Sequence, residues 1–87
     1  MPQFIEVSSL LKPGDIYEDP FFHPCLCVGE ADGAVWGISL IDGSYPRTTD
    51  VSVSGVRLLS PKEAWEWKSK GPDVIAAQWR EKHGALE

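Results

Sequence analysis

The chain reads as mainly β with a C-terminal α-helical part: a small, bent, antiparallel barrel of about five strands followed by one or two helices. Three observations predict this. Short runs of alternating apolar and polar residues recur between turn dipeptides; the alternation changes phase at Gly55; and Ser60-Pro61-Lys62-Glu63 carries the signature of a helix start. At 87 residues the chain is one domain with a modest core. The barrel is expected over roughly 3–59 and the helical segment over roughly 61–83.

Taken in order, Phe4 to Val7 is a short strand and Ser8 to Leu11 one helical turn, stopped by Lys12-Pro13-Gly14. Proline followed by glycine signals a type II turn, which needs positive φ at its third residue. Asp15 to Glu18 alternates acidic and apolar side chains as a half-buried strand does, and Asp19-Pro20 ends it. Phe21 to Pro24 connects to Cys25-Leu26-Cys27-Val28, apolar on both faces and suited to a central strand. Ala31-Asp32-Gly33 is a hairpin turn.

The next strand runs from Ala34 to Ile41. Trp36, Ile38 and Leu40 fall on one face, expected to be the core face, with Val35, Gly37, Ser39 and Ile41 opposite. Asp42-Gly43 breaks the run, and Ser44, Tyr45, Pro46 and Arg47 follow before Thr48 and Thr49 resume β-favouring sequence. Val51 and Val53 share a face, whereas beyond Gly55 the apolar positions are Val56 and Leu58, which a bulge or bend at Gly55 explains.

Ser60 is then an N-cap, Pro61 the first helical residue and Glu63 the partner in a capping box. This helix carries Ala64, Trp65 and Trp67. It ends near Lys70, with Gly71 as a left-handed cap and Pro72 opening a second helix. Trp65 and Trp67, two apart, cannot share a helical face, which leaves one of them free to be exposed; the plainer alternative has both tryptophans clamp the helix to the sheet. In the second helix Ile75 and Trp79 line one stripe, Asp73 suits the amino end, and Arg80, Lys82 and His83 suit the carboxyl end before Gly84 closes it. Leu86 and Glu87 read as a remnant of affinity-tag cloning.

Eight basic against thirteen acidic side chains give a formal charge of −5, which argues against a protein that grips a phosphate backbone. The amino-terminal stretch has neither a basic n-region nor a long apolar run, so neither a secretory signal nor a membrane span is expected, and the compartment read from this is cytoplasmic. Cys25 and Cys27 at strand spacing are poorly placed for a mutual disulfide and fit free thiols in a reducing compartment. No nucleotide or cofactor motif is present, and no cofactor is expected.

Three sets of residues carry candidate chemistry. Tyr45 and Arg47, with Asp42 and Ser44 beside them, are contact-making residue types on a surface loop, and they are the expected binding residues for a protein or peptide partner. The plainer alternative places Tyr45 over the barrel end and pairs Arg47 with Asp50. His23, Cys25 and Cys27 share strand parity and are soft metal ligands, although successive same-face residues lie about 7 Å apart and no fourth ligand is nearby in sequence. Asp15, Glu18, Asp19, Asp42 and Asp50 supply carboxylates for an acid/base pair, yet acidic residues beside turns more commonly bond to local backbone.

The run Leu11-Lys12-Pro13-Gly14-Asp15-Ile16-Tyr17 resembles the entry of SH3-like barrels, in which a proline-glycine turn leads into the first strand. Together with His23-Pro24-Cys25-Leu26-Cys27-Val28, it is also similar to the opening of MazF/PemK-type toxins, ribonucleases of SH3-like fold in which an Arg-Pro precedes an apolar strand. His23 stands where that family usually has arginine. The resemblance implies a ribonuclease or toxin–antitoxin component with His23 and Arg47 as its acid/base and phosphate-binding groups. The residues themselves favour a non-catalytic binding module.

Overall fold

The computed structural model describes residues 2–83, the side chain of His83 excepted, and its sheet is organised around one hairpin. Asp32 and Gly33 both take positive φ, 52° and 85°. That backbone twists with the strands it joins, here β3 (Pro24–Ala31) and β4 (Ala34–Ser39). Before the hairpin come β1 (Gln3–Ile5), a single 3-10 turn (Ser8–Leu10) and β2 (Ile16–Glu18). Between β1 and β2, Gly14 takes a φ of 97° and Asp15 donates to the Lys12 carbonyl, the expected proline-glycine turn. After β4 come β5 (Thr49–Asp50), the four-residue helix α1 (Val51–Ser54) and β6 (Val56–Leu59).

All six strands form one antiparallel sheet in the order β1-β6-β2-β3-β4-β5. Laid flat, β5 and β6 would be four strand spacings apart, about 19 Å. The chain joins them through α1, whose four residues rise only about 6 Å. The sheet is therefore strongly curled. Its edges β1 and β5 are not hydrogen-bonded to each other, so among the described residues it is an open six-stranded sheet rather than a closed barrel of five.

Curling decides which residues fit inside. The concave face holds Ile5, Leu11, Tyr17, Cys25, Cys27, Val35, Val51 and Val56, all buried. On β4 the inward residues are Val35, Gly37 and Ser39, the reverse of the expected core face, while Trp36 and Ile38 point outward and Leu40 lies just past the strand end. The strands approach too closely for bulk here. A Cβ on Gly37 would stand 2.1 Å from the Leu26 carbonyl oxygen. Trp36 instead lies over Gly29, where a Cβ would meet its ring at 2.7 Å, and between Cys27 and Gly29 the β3–β4 register shifts by a bulge.

The run around Val51 also departs from the expected pattern. Val51 is buried and Val53 is 81% exposed, because these residues form a helical turn rather than a strand. Gly55, with φ 72°, ends that turn, and this, not a bulge, produces the phase change. Phe4 packs where a Gly55 side chain would stand.

On the convex face two helices cover β2 and β6: α2 (Pro61–Lys70) and α3 (Pro72–His83). Ser60 Oγ accepts from the Glu63 amide at 3.1 Å and the Glu63 carboxylate accepts from the Ser60 amide at 2.8 Å, so both halves of the capping box form. Gly71 has φ 88° and ψ 157°, a positive-φ cap outside the left-handed helical region, and Pro72 starts α3 directly. Leu59, Ala64, Trp67 and Ile75 make a second core with Ile16 and Phe22 against it. Trp67 turns in and Trp65 is 69% exposed, so the two do not both clamp the helix to the sheet. The expected closure at Gly84 and the remnant at 86–87 lie outside the described residues.

Candidate functional site

The end of β2 positions two buried carboxylates on opposite faces of the sheet. Tyr17, Glu18 and Asp19 alternate, so Glu18 turns to the helices while Asp19 turns with Tyr17 toward the 39–47 segment. Each carboxylate meets an arginine from the second half of the chain.

On the Asp19 side, the segment 19–23 is a tight loop in which Phe22 takes φ 68°. Asp19 Oδ1 accepts from the amides of Phe21 (3.0 Å) and His23 (2.8 Å), and Oδ2 lies 3.3 Å from Arg47 Nε. That ion pair is poorly aligned, and Nε is buried without a hydrogen-bond acceptor. Arg47 Nη2 stands 2.6 and 2.9 Å from the two ring nitrogens of His23, and His23 Nδ1 is 2.8 Å from Ser39 Oγ. Arginine has only donors, so the Nδ1 atom that stands 2.6 Å from Nη2 is the acceptor of that contact.

Arg47 is held at its backbone as well. Its amide donates to the Gly37 carbonyl at 3.0 Å and its carbonyl accepts the Tyr17 hydroxyl at 2.6 Å. Burial, the largest influence, pushes the Tyr17 phenol far above its ordinary range, so it stays a donor. Burial likewise pushes the Cys25 thiol up to about 12 and raises that of Cys27.

The loop ahead of Arg47 is closed on itself. Asp42 Oδ1 accepts from the Ser44 amide at 3.0 Å and the Ser44 hydroxyl at 2.6 Å, and these bonds hold the exposed Asp42 carboxyl down at about 2. Gly43, with φ 75°, donates to the Ser39 carbonyl, and the Ser39 amide returns to the Ser44 carbonyl. Tyr45, joined to Pro46 by a cis peptide bond, is 56% exposed.

Of the four expected binding residues, Asp42 and Ser44 thus hold the loop, Arg47 braces it from within, and Tyr45 faces solvent. Arg47 pairs with Asp19, not Asp50, whose carboxylate accepts from Ser52. His23 joins Arg47 across 24 positions. It does not converge with the cysteines: it precedes β3 in the irregular loop, so strand parity does not extend to it. The Cys25 thiol donates to the His23 carbonyl and that of Cys27 to the Gly29 carbonyl. Among the described residues no group of three His, Cys, Asp or Glu side chains could hold a metal ion. Of the other carboxylates, Asp15 accepts from the Lys12 amide and Asp50 from Ser52, while Glu18 and Asp19 turn to opposite faces of the sheet.

On the other side Glu18, one of the candidate carboxylates, meets Arg57, a residue not singled out in the sequence. Arg57 Nε and Nη2 donate to the two Glu18 oxygens at 2.7 and 2.6 Å, and Trp67 Nε1 donates to Oε2 at 2.7 Å. The Arg57 guanidinium lies 5.2 Å from the Trp67 ring and 5.0 Å from the Trp79 ring, stacked between two indoles. The available signal was Arg57 itself, a lone cation within Val56-Arg57-Leu58-Leu59, which burial obliges to find a partner.

The chain matches no protein-family model, no curated protein and no solved structure. Among the described residues no helix is long and apolar enough to cross a membrane.

Proposed function

We propose that this chain is a non-catalytic cytoplasmic binding module that engages a protein or peptide through the loop at Asp42, Ser44, Tyr45 and Arg47, with Tyr45 as the anchor. One observation carries the reading: a largely exposed tyrosine stands on a loop whose other polar residues are all occupied in fixing its shape. A tyrosine presented this way adds contact area with little ordering cost on binding. The curled sheet, with β6 returning to β2 through one helical turn, supports an SH3-like reading of the scaffold.

The test is capture from a source-cell lysate with wild-type and Tyr45→Ala baits. Partners retained by the wild type and lost from the variant support the loop; identical partners on both remove it as the site. Arg47→Ala is the wrong probe alone, because it unclamps Asp19 and His23 as well as altering the loop surface.

The second reading is a ribonuclease similar to MazF/PemK-type toxins, favoured by the contact that brings His23, Arg47 and Asp19 together. Against it, the Arg47 charge is already faced by Asp19 and the chain is acidic. RNA left intact by the wild type, or cleaved equally by His23→Ala, ends this reading.

A further inference from the structure

A groove of about 520 Å³ is lined by residues of α2 and α3 together with Pro2 and Arg57. Trp67 and Ile75 are buried in its base, with Arg57 and Trp79 half-buried beside them. The charge of Arg57 is matched by the bidentate Glu18 contact, so it adds no net positive field. The groove is also lined by Glu63, Glu66 and Glu81, with Lys82 the one further cation lining it among the described residues; the Glu63 carboxylate is engaged in the Ser60 capping box, so the acidic groups that count for an occupant are Glu66 and Glu81. Glu66 is paired along the helix with Lys70 at 2.7 Å, but both side chains are solvent-exposed, where such pairs are weak and exchange readily. The groove is therefore an aromatic and aliphatic base under a net acidic rim.

Arg57 already shows what this environment holds: a guanidinium between indole faces with a carboxylate at its fork. We propose that the groove docks a cationic peptide segment, an arginine with apolar neighbours, with its aliphatic stem over the half-buried Trp79 and its charge toward Glu66 and Glu81. Charge complementarity chooses this occupant, since an acidic or nucleic-acid partner would meet like charge. None of residues 42–47 lines the groove, so this site and the Tyr45 loop stand or fall separately.

The probe is a short capped peptide of alternating arginine and alanine, titrated by calorimetry and by the indole N–H shifts of the tryptophans, with a glutamate–alanine peptide as its counterpart. The arginine peptide is expected to bind saturably, to weaken as salt is raised, and to move the Trp79 indole resonance while leaving that of the exposed Trp65 in place. Glu66→Lys/Glu81→Lys is expected to weaken binding by about tenfold or more, whereas Glu6→Lys/Glu30→Lys, which changes net charge equally away from the groove, keeps affinity near wild type. Absence of saturable binding, equal losses in the two variants, or shifts centred outside α2 and α3 would overturn the proposal. Should the charge-reversed protein fold poorly by circular dichroism, the wild-type shift map and Glu66→Gln/Glu81→Gln decide the matter.

Discussion

Replacing Glu18 by glutamine keeps the size of the side chain and removes its charge from beneath Arg57 and Trp67. The carboxylate is 8% exposed and accepts three hydrogen bonds, two from Arg57 and one from Trp67. Breaking a buried ion pair by removing one partner costs about 3–5 kcal/mol. Two features reduce this. The Arg57 side chain is 20% exposed and regains some hydration, and the amide oxygen still accepts from one donor. A loss of about 2–3 kcal/mol is expected, which for a domain of this size lowers Tm by roughly 10–20 °C. Urea unfolding, followed by tryptophan fluorescence and far-UV circular dichroism, measures it. Arg57→Met should destabilise similarly by stranding the carboxylate, and the double variant should lose less than the two single losses combined, by about 1–2 kcal/mol. A loss below about 0.5 kcal/mol for Glu18→Gln, or strict additivity, would show that the bidentate contact and the Trp67 bond do not hold the helices to the sheet.

Two further predictions concern the concave core. Gly37→Ala places a methyl group 2.1 Å from the Leu26 carbonyl oxygen and 2.8 Å from its carbon, and because both are backbone the strands must separate. A loss of about 3 kcal/mol is expected in thermal or urea unfolding, and one below about 1 kcal/mol would refute the close approach of β3 and β4. For Cys25, burial raises the thiol from an ordinary 9.0 to about 12. The folded state therefore keeps a proton that the unfolded chain releases, and the resulting stabilisation is complete below pH about 9 and lost as pH climbs toward about 12. Native protein at pH 8 should resist iodoacetamide at both cysteines and react after unfolding; rapid alkylation of the native form would contradict the burial.

Local signals were legible wherever neighbouring residues alone satisfy them. The capping box at Ser60 and Glu63, the Asp32-Gly33 hairpin and the proline-glycine turn are each completed within a few positions, and each formed where the sequence placed it. The same holds for the Asp42 turn. The site residues were only partly legible. His23 and Arg47 could be named as candidates, and Asp19 and Glu18 as carboxylates of a different kind of site, but nothing joined Asp19 to Arg47, and Arg57 was not singled out at all. These contacts span 28 positions between Asp19 and Arg47 and 39 between Glu18 and Arg57, and no local pattern encodes them.

Sequence by itself determined the short antiparallel strands, the helical tail and the placing of Trp65 and Trp67 on different helical faces, because these follow from backbone geometry over short stretches. The tertiary structure decided which face of β4 became core and what Val51 to Ser54 would be. Alternation states that a strand has two faces; it does not state how much room lies behind each. Curling the sheet left space for Val35, Gly37 and Ser39 inside and put Trp36 and Ile38 outside, and the short span from β5 to β6 turned an alternating valine-serine run into a helical turn.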